Sequence, residues 1–248
     1  GHFTNISEAS GVDYAGHSSA AVFFDYDRDG LLDLFLCNVG VFTTDRYEKV
    51  INDATTEVFE PGDYYYYVAS PDAFGGHLLP ERTESSRLYR NQGGNRFVDV
   101  TEEVRLIDES WTGDASPIDF NRDGYPDLYV LNMQGHDEYY ENVEGKYFVK
   151  KSREVFPKTP WGAMGIKTFD YDNDGDADLY VANDSMRNFL YRNEGDGLFA
   201  DVSLLSGVGY SEDGQTQAGM GTDMADYNDD GFMDLTVTNL DFEYIRVC

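Results

Sequence analysis

Short apolar runs that begin with Asp-Leu and end with Asn occur four times along the chain. Their β-branched and aromatic residues, followed by a turn-forming Asn, are typical of short strands that end in turns. Another strand-like segment precedes each run, as in "GIKTFD" (165–170) and "GTDMAD" (221–226). The four runs are "DLFLCN" (33–38), "DLYVLN" (127–132), "DLYVAN" (178–183) and "DLTVTN" (234–239).

A second signature follows the first in three places. Each copy indicates two strands that are joined by a glycine-containing hairpin. Helical periodicity is nearly absent outside an insertion in the first repeat, so four short strands per repeat predict an all-β fold. The three copies are "LYRNQGGNRFVDVT" (88–101), "YYENVEGKYFVKKS" (139–152) and "LYRNEGDGLFADVS" (190–203).

The two signatures recur at fixed distances. Twenty residues separate Asp119 from Tyr139 and Asp170 from Leu190, and 51 separate Asp119 from Asp170. Four strands in roughly fifty residues are typical of a β-propeller blade, and propellers have about four to eight blades. We therefore predict one β-propeller of four-stranded blades over 1–248, with repeats at roughly 1–95, 96–145, 146–197 and 198–248.

The first repeat carries an insertion at about 42–84, because 63 residues separate Asp25 from Leu88. We expect a short helix around 45–54 in it. Long inserts on a repeat scaffold often protrude and carry function. The four consecutive tyrosines at 64–67 either pack the insertion against its blade or stack on a ligand.

An acidic loop precedes each Asp-Leu strand, with the pattern D-x-[DN]-x-D-G-x-x-D, which we number from 1 to 9. Position 6 is glycine in all four loops. Positions 1, 3, 5, 7 and 9 are Asp25, Asp27, Asp29, Leu31 and Asp33 in loop 1; Asp119, Asn121, Asp123, Tyr125 and Asp127 in loop 2; Asp170, Asp172, Asp174, Asp176 and Asp178 in loop 3; and Asp226, Asn228, Asp230, Phe232 and Asp234 in loop 4.

These loops are predicted calcium sites. Calcium takes six to eight oxygen ligands in a flexible geometry, and the side chains at positions 1, 3, 5 and 9 with the backbone carbonyl of position 7 supply such a set. Glycine at position 6 permits the sharp turn. A polar turn is the alternative interpretation of a single copy, but four copies in register favour a metal. We predict about four Ca²⁺ ions per chain.

Other metal sites fit the loops less well. An EF-hand needs a bidentate Glu at position 12 and flanking helices, whereas position 12 here is Leu36, Val130, Val181 or Val237 within a strand. Magnesium prefers to keep several waters, and transition metals prefer His or Cys, which do not recur in the loops.

The charge excludes some partners. The chain has 47 Asp and Glu against 18 Lys and Arg, a net charge of -29. The chain would repel nucleic acid and anionic membrane surfaces. It contains no run of 18 apolar residues, so membrane insertion is not expected. Aromatic residues make up 15% of the chain, which argues for a folded protein.

Cys37 is predicted to be buried, with a Cys37–Cys248 bridge as the alternative.

An extracellular or secreted location, or a periplasmic or cell-surface one, is expected, because weak modular calcium sites work at millimolar calcium. Two tripeptides, at 5–7 and 183–185, also fit the sequon for glycosylation.

The loop pattern with "LYRN-x-G-x-x-F-x-D-V-T" resembles the FG-GAP/VCBS repeats of integrin-α-like β-propellers. The chain looks most like the group of cartilage acidic protein and ASPIC/UnbV proteins. The resemblance implies one Ca²⁺ per loop, an extracellular setting and a role in adhesion or recognition.

Two features depart from that pattern. Such propellers commonly have seven blades, so the chain is predicted to be a fragment of a larger ring; the alternative is a four-bladed ring in which the N-terminal strand completes the last blade. Ala20 and Asp114 replace the glycine found at Gly165 and Gly221. We therefore expect a different inner strand in the first two blades.

The leading functional prediction is a calcium-stabilised, non-catalytic module that binds an extracellular glycan or protein. One alternative is a polysaccharide-acting enzyme, because related propellers occur in polysaccharide lyases. Another is a structural subunit of a matrix or filament that self-assembles or pairs with further blades. No catalytic residue is predicted, since His2, His17, His77 and His136 are scattered and no serine lies in a nucleophile elbow.

Overall fold

The chain folds into four antiparallel sheets, each a meander in chain order. A computed structural model describes residues 1–41, 83–195, 197–240 and 245–247. The sheets are β1 Ser18–Phe24, β2 Asp33–Asn38, β3 Arg87–Asn91 and β4 Phe97–Asp99; β5 Trp111–Ile118, β6 Asp127–Gln134, β7 Glu138–Val143 and β8 Tyr147–Lys150; β9 Ala163–Phe169, β10 Asp178–Asn183, β11 Phe189–Asn193 and β12 Phe199–Asp201; and β13 Gly219–Ala225, β14 Asp234–Asn239 and β15 Arg246–Val247. The described helices are α1 Ser7–Ser10 and α2 Ser152–Val155.

The strand order confirms the predicted all-β blades. In each sheet the acidic loop joins the first and second strands, and position 9 begins the second strand; Phe24 pairs with Asp33 across loop 1, for example. The third and fourth strands form the predicted hairpin in the first three sheets.

Consecutive sheets meet through their first strands. Strand β1 packs on β5, β5 on β9 and β9 on β13, as the inner strands of propeller blades do. Within the described residues the four sheets form an open arc. Residues 1–6 lie in no strand, so the alternative in which the N-terminal strand completes the last blade is wrong in this structure.

The inner strands share one irregularity. Each skips a residue in its pairing with the second strand, at Ser19, Gly113, Met164 and Met220. Ala20 and Asp114 pair at the same register position as Gly165 and Gly221, so the expected difference does not appear at this bulge. The bulge belongs to the repeat, whichever residue follows it. The inner strand of the second sheet does differ from the others in a second register shift, between Trp111 and Thr112.

The hydrophobic core lies between the sheets. On β6, Leu128 and Val130 pack towards the first sheet, whereas Tyr129 and Leu131 pack towards the third. Since a neighbouring sheet covers each face, the strand is buried on both sides and reads as a continuous apolar run. Cys37 is buried in the core between the first two sheets, as predicted. Cys248 lies outside the described residues, so its pairing stays a prediction.

One aromatic side chain, Phe156, fills the space between the second and third sheets. Its ring centroid lies 4.5 Å from that of Phe199 in a stacked arrangement, and 5.1 Å and 5.3 Å from those of Tyr191 and Tyr129 in edge contacts. Such contacts add stability beyond burial alone. Phe156 follows α2, which therefore serves to place this ring.

Within the described residues the hydrophobic core stops at the fourth sheet, whose second strand is less apolar and whose loop is more exposed than those of the second sheet. Thr236 and Thr238 occupy the register positions of Tyr129 and Leu131, and Tyr227 is 71% exposed at a loop position where Phe120 is 2% exposed.

The insertion leaves the first sheet at one point. Gly40, just before the insertion, and Thr83, at its C-terminal end, form an antiparallel bridge. Glu84 accepts hydrogen bonds from the Tyr14 hydroxyl at 2.9 Å and the His17 amide at 2.8 Å, and its other oxygen lies 2.7 Å from His17 Nδ1. The helix expected around 45–54 and the tyrosines at 64–67 lie outside the described residues.

Candidate metal centres

The four acidic loops adopt one conformation. The side chain of position 1 accepts hydrogen bonds from the backbone N–H groups of positions 5 and 6 in every loop. In loop 3, Asp170 Oδ1 accepts from Asp174 N at 3.0 Å and its Oδ2 from Gly175 N at 2.9 Å. The position 5 carboxylate in turn accepts from the N–H of position 7. The repeated sequence therefore encodes a repeated local structure.

Two left-handed residues make this turn in each loop. Position 6 has a φ of 87° to 91°, a conformation that favours glycine, which explains the glycine there. Position 4 is also left-handed, with a φ of 58° to 61°, although it is not glycine. The sequence did not reveal this second constraint, because the residue type at position 4 varies: it is Arg28, Arg122, Asn173 or Asp229.

The side chains of positions 1, 3 and 5 converge. One carboxylate oxygen each from Asp25, Asp27 and Asp29 lies within 4.8 Å of the others, and Asp170, Asp172 and Asp174 form the same group. In the two loops with asparagine at position 3, its Oδ1 occupies an equivalent place: Asn121 Oδ1 and Asn228 Oδ1 each accept the position 5 N–H at 2.9 Å. Loops 1 and 3 thus each present three carboxylates to one point, and loops 2 and 4 share the same backbone turn with an asparagine Oδ1 at position 3.

Crowding shows in the electrostatics of loop 1. Burial and the neighbouring charges of Asp29 and Asp25 raise the pKa of Asp27, although a backbone hydrogen bond from Asp29 acts in the opposite direction. A cation among the three carboxylates would relieve this repulsion. The oxygen-only donor set, without His or Cys, suits a hard divalent ion such as Ca²⁺.

Position 9 is the buried carboxylate of the first three loops, and backbone hydrogen bonds hold it there. Asp33 is fully buried, and its two oxygens accept the Tyr26 N–H at 3.1 Å and the Asn91 N–H at 2.8 Å. Burial raises the pKa of Asp33 to about 6, against the effect of these hydrogen bonds. Asp127 and Asp178 are bound in the same way, and burial raises their pKa values to about 7 and about 6. Asp234 accepts from Tyr227 N at 3.0 Å.

Position 7 was predicted to contribute its backbone carbonyl. The residues there are Leu31, Tyr125, Asp176 and Phe232, and the structure places each N–H on the position 5 carboxylate. The side chain of Asp176 is buried and forms an ion pair with Arg122 of loop 2, so we do not expect it to bind the metal.

Sequence reasoning missed the Asn of "LYRN" as part of the site. Asn142 donates its backbone N–H to Asp127 Oδ1 at 2.8 Å, and its side-chain amide donates to the carbonyl of Pro126 at 2.9 Å. Asn91 and Asn193 make the equivalent contacts. Its fixed distance from the acidic loop is the available signal, but the pattern by itself predicts only two strands joined by a hairpin.

Two of the histidines have defined contacts in the described part of the chain. His17 bonds with Glu84 at the base of the insertion, and the carbonyl of His136 accepts from the Asn132 amide at 2.9 Å. His77 lies outside the described residues.

One of the two sequons is inaccessible. Asn183 is fully buried and donates its side-chain amide to the carbonyl of Arg187 at 2.9 Å, so the folded chain has no room for a glycan there. Asn5 is exposed.

Comparison with known sequences agrees with the loop geometry. A family model described as FG-GAP-like repeat matches three overlapping segments, 68–130, 119–181 and 170–237, each of which ends in an acidic loop and its following strand. The chain belongs to the FG-GAP-like repeat family. The resemblance found in the sequence is thereby confirmed, and the meander sheets are the blades of an FG-GAP-like propeller.

Named relatives support the same grouping. The chain is 36% identical over 213 residues to "Cartilage acidic protein 1" of Xenopus tropicalis, which covers 79% of this chain and 32% of the relative. It is 36% identical over 163 residues to the Mus musculus protein of that name, covering 61% of the chain and 24% of the relative. This FG-GAP-like chain thus spans about a third or less of these relatives. Among its described residues, no helix is long and apolar enough to cross a bilayer.

Proposed function

We propose that the chain is part of a calcium-stabilised, non-catalytic recognition or adhesion module that works outside the cytoplasm, secreted, periplasmic or at a cell surface. The observation that carries the proposal is the convergence of oxygen side chains in a loop that recurs at the same point of four sheets. Membership of the FG-GAP-like family and similarity to proteins named cartilage acidic protein support it.

Calcium at these loops has a structural effect. Each loop connects the first and second strands, and in the first three sheets the position 9 carboxylate accepts a hydrogen bond from the third strand, through the N–H of Asn91, Asn142 or Asn193. An ion that holds positions 1, 3 and 5 together therefore fixes the edge at which three strands meet. With free calcium about a hundredfold above the dissociation constant, each site adds about 2.7 kcal/mol to the free energy of unfolding.

The ligand proposed for the module is an extracellular glycan or protein. Calcium-held loops are rigid, and rigid loops on a sheet scaffold are common binding surfaces. The net charge of -29 favours a ligand that is neutral, cationic or bound through calcium over nucleic acid.

Native mass spectrometry in calcium tests the metal assignment. We expect about four ions per chain and a melting temperature that falls after a chelator is added. The double variant Asp170→Asn, Asp174→Asn should lose one ion, because it removes two of three converged carboxylates in loop 3. Asp229→Asn, an exposed change at position 4 of loop 4, is the control that keeps all ions. A chain that binds no calcium, and melts identically with chelator, contradicts the proposal.

Glycan-array and activity measurements test the rest. Calcium-dependent binding to a glycan or an extracellular protein is the expected result. Release of unsaturated product from a uronic-acid polysaccharide overturns the non-catalytic assignment, and assembly into filaments at rising concentration favours a structural subunit instead.

A further inference from the structure

Neighbouring acidic loops contact each other through position 4. Arg122 of loop 2 donates from Nη2 to the carbonyl of Gly175 in loop 3 at 2.9 Å. The same guanidinium forms an ion pair with Asp176, whose side chain is 8% exposed. These two partners occupy positions 6 and 7 of loop 3, the turn that carries one of the predicted carbonyl ligands.

Equivalent contacts from position 4 connect the other neighbouring loops. Asn173, at position 4 of loop 3, donates its side-chain amide to the carbonyl of Gly231, at position 6 of loop 4, at 3.2 Å. The Arg28 guanidinium of loop 1 lies 5.4 Å from the ring centroid of Tyr125, at position 7 of loop 2. Position 4 of one loop therefore contacts position 6 or 7 of the next in all three pairs. The left-handed backbone at position 4 accompanies this contact in every case.

A second set of contacts runs in the opposite direction. The side-chain amide of Asn142, which supports loop 2, also donates to the carbonyl of Tyr26 at position 2 of loop 1, at 2.8 Å. Asn193 of the third sheet lies 3.4 Å from the carbonyl of Phe120 in loop 2 in the same way. Close packing accompanies these bonds, since a Cβ at Gly145 would lie 2.8 Å from Asp27 Cα. Loops 1 and 2, and loops 2 and 3, thus share hydrogen bonds or packing in both directions, whereas loops 3 and 4 are joined by the position 4 contact.

We infer that the four metal loops are energetically coupled in chain order, so that a cation in one loop raises the affinity of the next through the position 4 side chain and the asparagine of the following sheet. This inference rests on the proposed function. An ion that orders loop 2 also fixes the backbone that presents Arg122, and Arg122 then holds the turn of loop 3 in place before its own ion binds. Ordering that is already complete does not oppose the second binding event.

The Arg122 contact should give the strongest coupling. It combines a hydrogen bond with an ion pair to a largely buried carboxylate, whereas Asn173 makes one hydrogen bond. Repulsion between neighbouring cations acts in the opposite direction, so the sign of the measured coupling is decisive. We expect coupling of about fivefold or more in affinity between loops 2 and 3.

The experiment uses the glycines at position 6 as one reporter per loop. Gly124 N and Gly175 N donate to the position 1 carboxylate of their own loops at 2.9 Å, so their amide signals report local occupancy. The protein is labelled with ¹⁵N-glycine and titrated with calcium chloride. Loop 2 is silenced by Asp119→Asn with Asp123→Asn, or by Asp119→Asn alone where the double variant does not fold.

Silencing loop 2 should raise the calcium midpoint of Gly175 about fivefold or more. Silencing loop 3 with Asp170→Asn and Asp174→Asn should raise the midpoint of Gly124 by the same factor, because coupling of binding free energies is reciprocal. In an Arg122→Ala background the effect of silencing should shrink. Asp229→Ala, at the same position of loop 4, should leave the coupling of loops 2 and 3 unchanged.

The outcomes separate the two proposals. Glycine signals that never move with calcium overturn the metal assignment itself. Signals that move with midpoints unaffected by a silenced neighbour, or lowered by it, overturn the coupling while leaving the metal assignment intact. Coupling that persists at full size in Arg122→Ala overturns the role of Arg122.

Discussion

A Cβ added to Gly165 would lie 2.9 Å from the carbonyl oxygen of Met220 on the neighbouring sheet. The third and fourth sheets therefore approach each other backbone to backbone at this point. We expect Gly165→Ala to lower the free energy of unfolding by about 1–3 kcal/mol, because the inner strands must move apart. Urea unfolding in calcium measures the change.

Gly221→Ala is the matched control for this close approach. A Cβ there would meet the Thr238 hydroxyl at 3.0 Å, a side-chain group that can shift at the cost of its hydrogen bonds with Gly221. Its cost should be smaller than that of Gly165→Ala. Equal costs at the two positions would argue against a backbone contact as the cause.

The glycine at position 6 of the acidic loops supports a second prediction. Gly30 has a φ of 87°, and a Cβ there would meet no atom within 4 Å, so Gly30→Ala introduces backbone strain alone. We expect a loss of about 1 kcal/mol in the free energy of unfolding. We also expect a smaller rise in melting temperature on adding calcium, since the strained turn belongs to a proposed metal loop.

Gly214 provides the comparison for Gly30. It has a φ of 72° with equally open surroundings, but it lies outside the acidic loops. Gly214→Ala should cost a similar amount and leave the calcium-induced rise unchanged. A similar loss of calcium response in both variants would contradict the assignment of loop 1 as a metal site.

A buried carboxylate gives a pH-dependent prediction. Asp137 is fully buried, accepts the Asn132 N–H at 2.8 Å and the Tyr129 hydroxyl at 3.0 Å, and burial raises its pKa well above the usual value. A raised native pKa means that the folded state holds this proton more tightly, so its stability falls as pH rises above about 4. Asp137→Asn should therefore stabilise the protein by on the order of 1 kcal/mol at neutral pH, with a gain that vanishes towards pH 4.

The third sheet supplies the reverse experiment. Asn188 occupies the equivalent place, and its Oδ1 accepts the Asn183 N–H at 2.9 Å. Asn188→Asp should destabilise the chain at neutral pH and recover as pH falls. Chemical denaturation at about pH 4.5 and about pH 7.5 measures both variants against the parent, and a pH-independent effect of Asp137→Asn would rule out the carboxylate as its source.

The aromatic contact between the second and third sheets supports a prediction about packing. Phe156 contacts rings from both sheets, so Phe156→Ala should remove about 3–5 kcal/mol from the free energy of unfolding. Phe23, which is 55% exposed, is the control, and Phe23→Ala should cost much less. Comparable losses would contradict the view that the core lies between sheets.

The repeated sequence pattern predicted the local structure within each blade. The four-strand meander, the acidic loop between the first two strands and the glycine turn all follow from local sequence, because hairpins and turns are set by neighbouring residues. Convergence of positions 1, 3 and 5 also follows, since these side chains lie on one short turn.

The contacts between blades were not predictable in the same way. Asn142 reaches Tyr26, and Arg122 reaches Gly175, across a boundary between repeats, so spacing within one repeat does not reveal them. The replacement of glycine by Ala20 and Asp114 does not shift the register at the bulge, for a related reason. A bulge fixed by pairing with the second strand tolerates different residues, and identity at that position did not determine register.

The bridge between Gly40 and Thr83 holds the two ends of the insertion together within the first sheet. Because the first sheet itself brings the two ends together, the entropy of closing this segment rises only slowly with its length. Segments of other lengths and sequences can therefore be exchanged at this point without changing the register of the blade. The first repeat is thus a position where segments with new binding specificities can be inserted while the propeller stays unchanged.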